Sequence, residues 1–91
     1  MPPTAAHELR VLAELLREQR RRKGLSQENA GLAGGLARKT YGKIERGESS
    51  PRFASVLDGI RGIGEDSADF FRAYADRLDA AKAEAEAETG G

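Results

Sequence analysis

Glycine punctuates this chain. Gly24, the pair Gly34-Gly35, Gly47 and Gly64 break it into short segments whose apolar residues recur at helical rather than alternating intervals. Such a sequence can fold into several short helices joined by tight turns, and into little else. Leu9, Leu12, Leu15 and Leu16 mark a first helix from about residue 5 to Lys23, with Thr4 as N-cap and basic residues in its last turns, where the macrodipole favours them. Ser26 caps a short second helix ending at Gly34-Gly35, both of which are expected to supply the positive φ of a tight turn. A third helix spans about Ala37 to Arg46. Ala37, Tyr41 and Ile44 fall on one side of it, and Arg38, Lys39, Gly42, Lys43 and Arg46 on the other.

Ser50 as N-cap and Pro51 at the first helical position open a fourth helix, with Phe53, Val56, Leu57, Ile60 and Ile63 as its buried stripe. A fifth begins near Asp66 or Ser67 and carries Phe70, Phe71, Tyr74, Leu78, Ala81 and Ala85 along one stripe. With no strand signal, the expectation is an all-α fold of five helices. It comprises one domain over residues 1–79 and an acidic Ala/Glu-rich tail over 80–91 that lacks core residues and should fray.

Most chemistries are excluded by what is missing. There is no cysteine for a disulfide, a thiolate metal site or a thiol nucleophile, and the single His7 cannot build a zinc site alone. No apolar run approaches the ~20 residues that span a bilayer. The N-terminal residues contain no apolar signal core, so a soluble cytoplasmic protein without membrane contact is expected. Ser26, Ser49, Ser50, Ser55 and Ser67 read as caps, loop or surface residues, and the carboxylates lie on solvated faces. Neither an enzyme nor a cofactor or metal site is expected.

A net charge of zero conceals an asymmetry: residues 1–47 carry ten Lys/Arg against five acids, and residues 48–91 the reverse. A basic half suits a polyanion. The stretch Gly31 to Gly47, "GLAGGLARKTYGKIERG", is basic and glycine-rich, but it is not a nucleotide phosphate loop. Lys39-Thr40 follows Arg38, Gly42-Lys43 precedes Ile44, and the strand that a phosphate loop emerges from is absent. Two short helices about a glycine turn, the second presenting Arg, Lys and Thr, instead describe a helix-turn-helix over about residues 26–46. Its second helix fits the major groove, where Arg and Lys donate to guanine O6 and N7.

Here the sequence resembles the phage-repressor (Cro/repressor, XRE-type) helix-turn-helix family. The marks are "RRRKGLSQEN", the turn at Gly35-Leu36, "KIERG", Pro51-Arg52-Phe53 and the fourth helix ending in Gly64, within about Leu12 to Phe71. The resemblance implies a compact five-helix lambda-repressor-like DNA-binding domain with an extended C-terminal helix. It implies a transcriptional regulator, usually a homodimer on a palindromic operator in double-stranded DNA, and size and aromatic final helix suggest the restriction-modification controller subgroup. Carried over residue by residue, Gln27 contacts DNA at the start of the second helix, and Arg38, Lys39 and Lys43 read bases. Thr40, Arg46, Ser49 and Ser50 meet the backbone, and Arg52 reaches a phosphate or the minor groove. Arg20 and Glu45 match a partly buried structural salt bridge, and Phe70, Phe71, Tyr74 and Leu78 would pack partly on their own core and partly on a two-fold mate as the dimer interface.

The chain departs from the family pattern at Gln19, Ala30-Gly31 and Ala37, the last removing a cap from the third helix. Gly42, Gly59 and Gly62 lie inside helices, where each glycine costs about 0.5–1 kcal/mol relative to alanine. A marginal monomer that depends on dimerisation or DNA is therefore expected. The competing function class is an antitoxin or protein-interaction adaptor on the same scaffold, using the acidic tail from about Asp79 to Glu88 against a protein partner.

Overall fold

A computed structural model describes residues 4–48 and 50–89. The chain forms α1 (Ala5–Arg22), α2 (Gln27–Ala33), α3 (Arg38–Arg46), α4 (Phe53–Gly62) and α5 (Ser67–Thr89), with no strand among the described residues. The first two helices start as the sequence predicts: Thr4 Oγ1 accepts from the His7 N–H at 3.1 Å, and Ser26 Oγ from the Asn29 N–H at 3.0 Å. The α5 start is capped by Asp66, whose carboxylate accepts from the Asp69 N–H at 3.1 Å. α3 has Ala37 at its N-cap and no side-chain cap, as the sequence implied.

The first four helices end alike. Gly24, Gly35, Gly47 and Gly64 all take positive φ, and the N–H of the following residue reaches the carbonyl five positions back. At the turn of the motif, Gly35 has φ +78° and the Leu36 N–H bonds to Gly31 O at 2.7 Å. Gly34 departs from expectation, with an ordinary φ of −90°. Its role is close approach: a Cβ there would be driven into the carbonyl oxygen of Asp58 on α4. Gly62 does the same from the other side, where a Cβ would collide with Ala30 O of α2. The helices α2 and α4 therefore cross backbone against backbone, and two residues that looked like a turn former and a helix weakener are steric requirements.

The core lies between α1, α3, α4 and the first turns of α5. Leu16, Tyr41, Ile60, Ile63 and Phe70 are fully buried, with Leu12, Leu15, Ala30, Ile44 and Val56 around them. The α4 expectation needs correction. The helix opens at Phe53 with Arg52 as N-cap and no side-chain cap, because Arg52 is still extended and the Val56 N–H takes Arg52 O as its first acceptor, which leaves Pro51 outside the helix. Phe53, at the helix end beyond the edge of the core, is 65% exposed rather than buried, and its ring stacks on Phe71 at 5.8 Å.

α5 continues unbroken to Thr89, and residues 82–87 are exposed all round. It is the main reason the molecule measures 46 × 23 × 19 Å. Its early turns are tied to α1 by Tyr74, whose hydroxyl donates to Glu8 O at 3.0 Å, and by Arg77, which pairs with Glu18 at 2.6 Å. Lys23, just past the end of α1, donates to Gly64 O at 2.9 Å and pairs with Glu65 at 3.3 Å. The ammonium thus sits at the carboxyl end of α4, where the helix dipole favours a cation.

Candidate functional site

The site is built on α3, whose two sides differ in kind. Tyr41, Ile44 and Glu45 face inward at 4% exposure or less, while Arg38, Lys39, Thr40, Lys43 and Arg46 are exposed. Ala37, expected on the inner side, is exposed at the N-cap, where the chain has not yet entered the helix. Arg38, Lys39 and Lys43 enter no ion pair among the described residues. Arg46 is held by Glu48, Nε to Oε1 at 2.9 Å, and the Arg46 guanidinium keeps the Glu48 carboxyl below its usual range. Glu48 carried no sequence signal; only the turn at Gly47 brings it back against α3.

Beneath this face lies a polar junction. Arg20 of α1 grips Glu45 in a forked pair, Nε to Oε2 at 2.6 Å and Nη2 to Oε1 at 3.1 Å, and its Nη1 donates to Leu25 O at 2.7 Å. Gln27 completes it, its side-chain amide donating to Glu45 Oε1 at 3.2 Å. Burial works to raise the Glu45 pKa, but the donors around it, Arg20 foremost, outweigh burial and hold it below the ordinary glutamate value. Tyr41 is pushed up, first by burial and then by the neighbouring carboxylate, and its hydroxyl finds no partner of normal hydrogen-bond geometry. The same carboxylate that fixes the angle between α1 and α3 also fixes Gln27 at the head of α2, so these helices share one electrostatic anchor.

The remaining candidate residues scatter around the face. Arg52 and Ser50 are exposed on the connection before α4, and Ser49 lies outside the described residues. Gly42, which helical spacing places on the outer side with the basic residues, is nevertheless buried, because the Arg46 side chain folds back over it. On α5, Phe71, Tyr74 and Leu78 are half-buried, and the Phe71 ring stands edge-on to Phe70 and Tyr74. Phe70 has no exposed surface: it sits at the position of the stripe that points straight into the core, and it closes the monomer. Exposed Phe53 extends this aromatic surface from α4. No cluster of His, Asp or Glu suited to a metal ion occurs among the described residues, and no described helix is long and apolar enough to cross a membrane.

Comparison with known proteins agrees with this geometry. The family described as Helix-turn-helix matches residues 16–58, from the middle of α1 into α4. No curated protein matches the sequence significantly. Among solved structures, the wild-type restriction-modification controller protein C.Esp1396I superposes with a TM-score of 0.72 at 21% identity, covering 78% of this chain and 93% of that one. A threonine-to-alanine variant of the same controller gives 0.73 at 21% identity, over 78% of this chain and 95% of that one. At this identity the likeness establishes the fold.

Proposed function

We propose, from the helix-turn-helix domain at residues 16–58, that this chain is a sequence-specific, dimeric transcriptional regulator that binds a palindromic operator through the major groove. One observation carries the reading. α3 is clamped by a fully buried underside while Arg38, Lys39 and Lys43 stand on its outside, exposed and unpaired among the described residues. Base discrimination by arginine and lysine depends on a helix held in one orientation, and the buried underside and the Arg20–Glu45 pair pack α3 against α1. Arg38, Lys39 and Lys43 reach base edges, Thr40, Arg46, Ser49 and Ser50 meet the sugar-phosphate backbone, and Arg52 reaches a phosphate or the adjacent minor groove. Gln27, oriented by Glu45, contributes a second amide hydrogen toward the phosphates beside α2. The fold likeness to a restriction-modification controller protein supports a regulator of that kind.

Phe53, Phe71, Tyr74 and Leu78 form the surface on which a second copy packs. They are partly exposed, and the Phe71 ring touches both Phe53 and Tyr74, with Leu78 one helical turn beyond Tyr74. Two recognition helices so paired read half-sites one helical turn, roughly 34–36 Å, apart. Selection of duplexes from a random pool, with the size of the complex measured, tests this reading. A shared palindrome bound by two chains, with affinity falling steeply as salt rises, is the expected result. Retention without sequence enrichment, or one chain per duplex, overturns it.

The exposed helical residues 82–87 favour one second reading, an adaptor or antitoxin whose tail meets a protein. A chain truncated after Leu78 that still dimerises and binds DNA but has lost its activity in cells would establish it.

A further inference from the structure

Gly42 occupies the centre of the outer face of α3 and is nevertheless buried. Side chains on a helix lean toward its N-terminus, so the residue four positions on covers the site. That residue is Arg46. A Cβ on Gly42 would come within 2.9 Å of Arg46 Nη1, 3.7 Å of Arg46 Cζ and 3.6 Å of Gln27 Oε1. These are all tips of side chains, so a methyl group there would displace the guanidinium and leave the backbone in place. The guanidinium is gripped at its other edge by Glu48, through Nε.

We infer that Gly42 is a positioning residue: the absence of its side chain provides the seat on which the Arg46 guanidinium lies, between Gln27 and Glu48, preset for the DNA backbone. The inference rests on the DNA-binding reading above. A planar guanidinium already held in place loses little freedom on meeting a phosphate, whereas a free one must be ordered at the moment of binding. The plain alternative is that Gly42 only weakens the helix. On that account alanine would raise stability and leave Arg46 unaffected.

The test is a cycle of four proteins on the duplex selected above: wild type, Gly42→Ala, Arg46→Ala and the double variant. Gly42→Ala is expected to melt no lower than wild type yet bind about tenfold more weakly, the scale of one charge-assisted hydrogen bond. It should keep the wild-type salt slope, because the Arg46 charge still meets its phosphate once ordered, whereas Arg46→Ala should lose about one unit, and the double variant should bind no worse than Arg46→Ala. Wild-type affinity in Gly42→Ala, or losses that multiply in the double variant, overturns the inference. If wild type selects no duplex, the functional reading fails instead, and the seat is decided in the free protein by the nitrogen–proton NOE of Arg46 Nε. That signal should be rigid in wild type and mobile in Gly42→Ala; a signal equally rigid in both overturns the seat.

Discussion

The helix-turn-helix is held at two junctions that work by opposite means. Between α1 and α3, Arg20, Glu45 and Gln27 form a buried polar network joined by side chains. Between α2 and α4, Gly34 and Gly62 remove side chains so that the backbones touch. The first junction is directional, and it orients α3. The second fixes a distance and makes no demand on protonation. A network can be weakened by degrees, through one partner or through pH, whereas a steric contact admits almost no intermediate state.

Arg20→Ala should have the largest effect, because it leaves Glu45 charged and unpaired in the interior. A loss of ~3–5 kcal/mol is expected in chemical denaturation. An unchanged melting temperature together with lost DNA binding would show that Arg20 is not structural. Gly62→Ala comes next, at ~1–3 kcal/mol, the range of overpacking. Its loss should be the same at pH 7 and at low pH, since no titrating group is involved. Acid separates the junctions further. The Glu45 pKa is depressed in the folded state, so as pH falls below the unfolded value of 4.5 the unfolded chain takes up the proton first. The pair's stabilisation is full above that value and is lost on the way down to the folded pKa. Wild type should therefore lose stability with acid more steeply than Arg20→Ala, and parallel curves would place the effect elsewhere. Gly59→Ala should have the smallest effect, a gain of about 0.5–1 kcal/mol. Its Cβ would meet the Tyr41 ring at an ordinary 3.6 Å, so a loss on thermal melting would mean that this part of the core is already full.

These junctions also show what a sequence can disclose. The caps at Thr4 and Ser26 and the stops at Gly24, Gly35, Gly47 and Gly64 are legible because each is decided within a few residues of itself. Arg20 and Glu45 were recognisable only through the family resemblance, since nothing in either residue's neighbourhood announces a partner on another helix. Gly34 and Gly62 could not be paired at all: a missing side chain carries no chemical label, and their contact exists only once α2 and α4 cross. Phe53 misled for a related reason, as helical spacing describes a face but not where the core ends along it. Within the site the exposed basic face of α3 was readable from periodicity. The burial of Gly42 was not, because it depends on the fold of one flexible arginine over its own helix.

The Lys23 contact has a consequence of its own. By joining the end of α1 to Gly64 and Glu65, it fastens the end of the first helix to the end of the fourth and makes a closed circuit of the first four helices. The long α5 then leaves this circuit as an appendage gripped mainly along its early turns by Phe70, Tyr74 and Arg77. A force or a partner that peels its distal end can act on the tail while the circuit, and with it the angle of α3, stays shut.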